Sequence, residues 1–275
     1  MKILFIAVAL MMVGLVDHCS SQPLPYAALS TPVLITMTNG ETGSGFYLDC
    51  SNHLFLATAR HVLFEPDGKL KSSEAILLSS AYSPGEGDVE LKLHLGNLAT
   101  NQQIRAHPLH DVAIVRLALV TGISGKRFAF DTNVTAIHYP KSGIATVGID
   151  FMRRIGNVEA GEDVFVFGYP TSIGLRQSPK FEYSKPLLRR GIVSAIYQKQ
   201  QTIVLDSSVY FGNSGGPVMA VAEGRHFAVV GVVSEMIPFV DVWENKRFKY
   251  TTVNLSNSGY SVVEPIDFLL DLTWD

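Results

Sequence analysis

Gly212-Asn213-Ser214-Gly215-Gly216-Pro217 is the stretch on which the reading of this chain turns. A serine hydroxyl is a weak nucleophile unless a base takes its proton and backbone amides receive the negative charge that develops. Glycines on both sides of Ser214 let the backbone turn tightly and point N–H groups inward. One short loop can therefore offer a hydroxyl and an anion pocket together. By itself the stretch is also an ordinary Gly-rich turn. Two upstream segments argue for more: Thr58-Ala59-Arg60-His61-Val62 supplies a histidine, and His110-Asp111-Val112-Ala113-Ile114-Val115-Arg116-Leu117 supplies an aspartate at the head of an apolar strand.

The three residues come in the order His61, Asp111, Ser214, with gaps of 50 and 103 residues. The serine stretch fits the Gly-x-Ser-x-Gly formula of the α/β-hydrolase elbow literally. That elbow needs a helix after the serine, and Pro217-Val218-Met219-Ala220-Val221 continues instead as a strand. His before Asp before Ser is the order of chymotrypsin, not of subtilisins or α/β-hydrolases.

With these residues the chain resembles trypsin-like serine proteases of the chymotrypsin fold, and within them the bacterial HtrA/Deg-type branch. Five segments carry the resemblance: Gly43-Ser44-Gly45-Phe46, the His61 and Asp111 segments, Gly161-Glu162-Asp163-Val164-Phe165-Val166-Phe167-Gly168-Tyr169-Pro170, and Gly191-Ile192-Val193-Ser194 leading to the Ser214 loop. The serine loop is the most specific of the five. The resemblance implies an all-β fold of two packed six-stranded antiparallel β-barrels with a C-terminal helix. It implies Ser214 as nucleophile, His61 as general base and then acid, and Asp111 as the group that orients the imidazole. The backbone N–H groups of Gly212 and Ser214 become the oxyanion hole. Asn213 stands where digestive trypsins carry an aspartate that pairs with a newly released N-terminal ammonium. The HtrA-type branch also has asparagine there. For the substrate pocket the resemblance points to Ser208 at the floor and to Ser234 and Met236 on the wall that pairs with the substrate backbone. Alternation along a strand should turn Glu235 away from the face that Ser234 and Met236 share. An uncharged floor and a bulky Met236 imply cleavage after small or medium apolar residues. HtrA-type enzymes usually carry a PDZ domain after the protease; with 61 residues following Ser214, none is expected here.

The composition agrees with an all-β secreted chain. Of 275 residues, 47% are hydrophobic, enough for one compact unit or two small barrels, and 23 glycines and 13 prolines suit a fold with many turns. Net charge is −3, which implies no basic face for nucleic acid. The partners expected are protein or peptide substrates; the oligomeric state does not follow from the sequence. Lys2 followed by the apolar run Ile3 to Val16 reads as a secretory signal, with cleavage near Ser20 or Ser21, and is short for a membrane span. Lipid anchoring at Cys19 is the less favoured reading, because Asp17-His18 fit a lipid-attachment box badly. Residues 1–21 are then the signal and 22–275 the protease domain, with 22–120 as one barrel, 121–156 as a connection, and 157–275 as the second barrel and helix. Cys50 would be the one cysteine left. An export signal without a disulfide framework points to a periplasmic or secreted bacterial protein.

Strand-like runs fall at Pro32–Thr38, Gly45–Asp49, His53–Ala57, Ala75–Tyr82, Val89–Leu95, Ile104–His107 and Asp111–Leu117. A second set covers Asp163–Phe167, Gly191–Tyr197, Thr202–Ser207, Gly216–Val221, Phe227–Val233 and Phe248–Asn254. Pro84-Gly85-Glu86-Gly87-Asp88 is a strong turn, and Glu264 to Leu272 reads as a C-terminal helix. His107-x-x-His110 has zinc-like spacing, but its setting is a poor ligand set, so no metal and no cofactor are expected. The alternative to a secreted endopeptidase is a catalytically silent or self-processing module of the same fold that binds peptides or protein partners.

Overall fold

A two-residue turn sets the register at the centre of the first sheet. Ser51 and Asn52 have φ of 49° and 60°, the left-handed conformation that a type I′ hairpin requires at both positions. They join β2 (Thr42–Cys50) to β3 (His53–Thr58), with Cys50 opposite His53. In this computed structural model the residues described are 26–80, 87–121, 127–141, 143–171, 178–182, 185–221 and 227–273. The expected signal segment, 1–21, and Pro84 to Glu86 of the expected turn lie outside them.

Around that hairpin stand β1 (Pro32–Met37), β4 (Ala75–Ser79), β5 (Val89–Leu93), β6 (Ile104–Ala106) and β7 (Ala113–Thr121), then β8 (Arg127–Phe130), β9 (Val134–His138) and β10 (Val147–Gly148). Hydrogen bonding runs β6-β7-β3-β2-β1-β4-β5-β9, with β8 against β7 and β10 against β2. The stretch expected to be mainly connection thus adds three strands to the first sheet. One-turn α1 (Arg60–Leu63) follows β3, and α2 (Leu95–Thr100) occupies residues just past β5.

The second sheet closes into a six-stranded barrel, β11-β12-β13-β16-β15-β14. Its strands are β11 (Asp163–Gly168), β12 (Leu187–Tyr197), β13 (Thr202–Asp206), β14 (Pro217–Val221), β15 (Phe227–Asn245) and β16 (Tyr250–Pro265). Two expectations are corrected here. β15 runs twelve residues past Val233, where it was expected to end, and β16 runs on to Pro265. The C-terminal helix shrinks to the single turn α3 (Asp267–Leu270). The reason lies in the pairing: Val263 is opposite both Ile203 of β13 and Val233 of β15, which holds Glu264 and its neighbours in strand.

β2 and β3 are buried on both faces. Tyr47, Leu54 and Leu56 join Val33, Ile35, Leu77 and Leu91 inside the first sheet. Phe46, Leu48 and Phe55 point the other way, into a cluster with Phe167, Met219, Val229, Val232, Ile266 and Leu269 of the second half. Val164, Val166, Ile203, Leu205, Val218 and Val263 fill the second barrel. Strands buried on both faces need apolar residues in nearly every position, and this seam keeps the two halves in a fixed relation.

Candidate active site

His61, Asp111 and Ser214 come from three different elements that meet at the seam. His61 sits in α1. The Arg60 N–H donates to the Asp111 carbonyl oxygen at 3.1 Å, which ties that turn to the loop entering β7. Both oxygens of the Asp111 carboxylate are engaged. Its Oδ1 accepts from the His61 backbone N–H at 2.9 Å, and its Oδ2 lies 2.6 Å from His61 Nδ1. Because an ionised carboxylate can only accept, the proton belongs on Nδ1, which leaves Nε2 as the basic nitrogen. The Ser234 hydroxyl also donates to Oδ2, at 2.7 Å. Burial pushes the Asp111 carboxyl up, but the hydrogen bonds from His61 and Ser234 and the charge of His61 outweigh it and hold the group below the ordinary carboxylate value.

The serine loop is shaped by three glycines. Gly212 and Gly215 have φ of 97° and 87°. A Cβ on Gly215 would lie 2.1 Å from the Ser44 carbonyl oxygen, and one on Gly216 would lie 2.1 Å from the Phe167 carbonyl oxygen. Only glycine fits where the backbone passes so close. Ser44, from β2, ties this loop to the first sheet. Its N–H donates to the Ser214 carbonyl at 2.8 Å and its hydroxyl to the Gly212 carbonyl at 2.6 Å. Asn213 is buried and closes the loop on itself: its Oδ1 accepts from the Tyr210 N–H at 3.0 Å and its N–H donates to the Tyr210 carbonyl at 2.9 Å. A neutral side chain thus holds the loop by local hydrogen bonds. The Gly215 N–H goes to Val233 and the Gly216 N–H to Asn213. Among the described residues the N–H groups of Gly212 and Ser214 have no acceptor.

The Ser214 hydroxyl donates to the Ser234 carbonyl oxygen at 3.1 Å, and no hydrogen bond joins it to the His61 ring. All three side chains nevertheless border one cleft of about 910 Å³. Ser234 and Met236 border it as well. Ser208 does not; Val209, Tyr210 and Phe211 do. The Asn257 amide donates to the Val209 carbonyl at 2.6 Å, and the Arg189 guanidinium lies 4.8 Å from the centre of the Tyr210 ring, so residues 209 to 211 are the ones held at the cleft. Glu235 also lines the cleft, against the expectation from strict alternation. A bulge between Val233 and Glu235 breaks the two-residue period there.

Glu264 is a cleft residue that the sequence did not disclose. Its carboxylate accepts from the Asp111 N–H at 3.4 Å and lies 2.9 Å from His110 Nδ1. The His110 ring stacks on Phe268 with centroids 3.3 Å apart, and His107 Nδ1 accepts from the His110 N–H. The two histidines of the zinc-like spacing therefore brace the Asp111 loop. Glu264 belongs to a segment that reads locally as a helix, and only the closed barrel brings it beside Asp111.

Residues 43–232 match a family model described as a trypsin-like peptidase domain. No curated protein matches the sequence. Among solved structures the chain is similar to a serine endoprotease from Yersinia pestis, with a TM-score of 0.51 and 15% identity over 91% of this chain and 66% of that one. It is also similar to the HtrA-type protease AlgW with tripeptide, with a TM-score of 0.49 and 15% identity over 90% of this chain and 62% of that one. A third is protease Anisep from Arthrobacter nicotinovorans, with a TM-score of 0.48 and 15% identity over 86% of this chain and 88% of that one. The chain spans just under two thirds of the length of the first two. At this identity the likeness to the Yersinia pestis structure carries the fold alone.

Proposed function

The chain belongs to the trypsin-like peptidase family, and from that premise we propose that it is a serine endopeptidase that works through His61, Asp111 and Ser214 and an acyl-enzyme. The observation that carries this reading is the hydrogen-bonded array Asp111–His61 and Asp111–Ser234 facing Ser214 across one cleft. Rotation of the Ser214 side chain from the Ser234 carbonyl toward His61 Nε2 readies the nucleophile. Such contacts are often loose before substrate binds. His61 takes the hydroxyl proton as Oγ attacks the scissile carbonyl, and Asp111 stabilises the imidazolium that forms. The unpartnered N–H groups of Gly212 and Ser214 receive the oxyanion. His61 then gives its proton to the leaving amine, and water releases the acyl group by the same steps in reverse.

Met236, Val209 and Tyr210 would border the pocket for the residue before the cut, and Ser208, next to Val209, would give its floor no charge, favouring small or medium apolar side chains. Among the described residues no helix is long and apolar enough to cross a membrane. Lys2 and the run from Ile3 to Val16 support export, so the substrates would be proteins or peptides outside the cytoplasm.

The resting Ser214–Ser234 hydrogen bond favours one second reading, a silent module that binds peptides without cutting them. A fluorophosphonate probe separates the two, since it labels a reactive serine without needing a substrate. Labelling of the wild type and not of Ser214→Ala is expected, and the substitution should lower cleavage of a denatured protein by ~10⁴-fold or more. Equal cleavage by both proteins would remove Ser214 from the mechanism.

A further inference from the structure

β15 and β16 continue together well beyond the barrel. β14 pairs with β15 only from Phe227 to Val232. Among the described residues, β16 is the only strand partner of β15 from Ser234 to Asn245, and no strand pairs with the other edge of β15. The first three residues of that open edge, Ser234, Glu235 and Met236, line the cleft. The arm is therefore a direct extension of the cleft wall.

Pairing from Pro238–Asn257 to Asn245–Tyr250 builds the arm. Residues opposite one another share a face of the ribbon. Val240, Val242, Val253 and Leu255 make one apolar face; Phe239, Trp243 and Tyr250 lie on the other, and all are 53–64% exposed. A two-stranded ribbon is marginal alone, and an open edge is a template for another strand. Pro238 agrees with an open edge, because a proline in a strand is tolerated where the N–H it lacks would face away from the paired neighbour. Lys246, Arg247 and Lys249 sit exposed at the tip. A second copy laid along this edge would compete with substrate at Ser234 to Met236, so the continuity favours the substrate itself.

We propose that the open edge of β15 from Met236 to Asn245 receives the segment preceding the scissile bond, so that the protein binds an extended, apolar-rich, unfolded polypeptide by strand addition over about ten residues. This rests on the endopeptidase reading. The bound segment runs antiparallel to β15, with alternate side chains beside Val240 and Val242 on one face and beside Phe239 and Trp243 on the other, and its N-terminal end near the cations of the tip.

The test is a set of fluorogenic peptides with one cleavable sequence, extended on the N-terminal side from four to twelve residues. For the wild type, kcat/KM should rise by about tenfold or more along the series, chiefly through KM, as added backbone hydrogen bonds accumulate. In one variant an Asn-Gly turn replaces residues 239–256 and closes the hairpin at the Pro238–Asn257 pair. It should cleave the four-residue peptide at the wild-type rate and ignore extension. Val240→Pro with Val242→Pro, which removes donors from the arm, should do the same with less change to the chain. A flat wild-type series, or a length response that survives in both variants, overturns the proposal. So does a dimer that falls apart when the arm is shortened while turnover stays independent of length, since the edge then belongs to a second copy. Anisotropy titration of Ser214→Ala protein with the same peptides separates the two readings. Length-dependent binding without wild-type turnover keeps the arm and rejects the peptidase, whereas turnover without length dependence does the reverse.

Discussion

Asp111 shows how much one side chain depends on its setting. Two hydrogen bonds from His61 and one from Ser234 converge on its carboxylate. They favour the charged form more than burial opposes it, so the folded value lies below the ordinary one. A depressed carboxyl stabilises the fold fully above its unfolded value of about 4, and that stability fades as pH falls through the folded value. Carbon-13 NMR titration of the Asp111 carboxyl should therefore give a midpoint below that of a free aspartate. Ser234→Ala removes one donor and should move the midpoint upward, carrying the acid loss of stability with it. An unmoved midpoint would mean that the Ser234 bond does not favour the ionised form. His61, Asp111 and Ser214 were legible as candidates because each sits in a short distinctive segment. Glu264 was not, because nothing local marks a carboxylate that acts on a residue 153 positions away.

At the scale of elements, β2 and β3 carry the assembly. Their outward residues Phe46, Leu48 and Phe55 form the seam with Phe167, Met219 and Val232, while Tyr47, Leu54 and Leu56 fill the first sheet. Phe46 is fully buried, and truncating a buried phenylalanine removes transfer energy and leaves a cavity. Phe46→Ala should cost about 3–5 kcal/mol, read as a lower urea midpoint with an unchanged slope. A cost under about 1 kcal/mol would show that the seam collapses around the change and does not depend on Phe46. Most strands of the fold were readable from alternation and turn residues, with β3 and β14 within a residue or two at each end. The long β15/β16 hairpin was not. Local pattern marks where a strand is favoured, but its extent past Val233 is decided by a partner strand running alongside.

The two halves act as one body because the site is shared between them. Ser44 of the first sheet holds the serine loop of the second half by two hydrogen bonds, and Cys50 sits in the seam cluster at 4% exposure. Cys50 is therefore a native reporter of that seam. A thiol reagent should leave it untouched in native protein and react fully once the chain unfolds, with the labelling midpoint in urea coincident with loss of the β-sheet signal. Rapid labelling in native buffer would mean that the halves part without global unfolding.

What the sequence determined by itself was local: the β class, the glycines that allow the Ser214 loop, and three residue types in an order shared with a known family. Each follows from backbone sterics or from a motif a few residues long. Tertiary structure alone decided the rest. It set the Ser214 hydroxyl on the Ser234 carbonyl, brought Val209, Tyr210 and Phe211 to the cleft, and placed a bulge between Val233 and Glu235 that breaks the alternation at the cleft wall. It also drew the first two residues of the expected C-terminal helix, Glu264 and Pro265, into β16 and left the helix as a single turn. These outcomes depend on which strands become neighbours across more than a hundred residues of chain, and a local pattern does not encode that choice of partner.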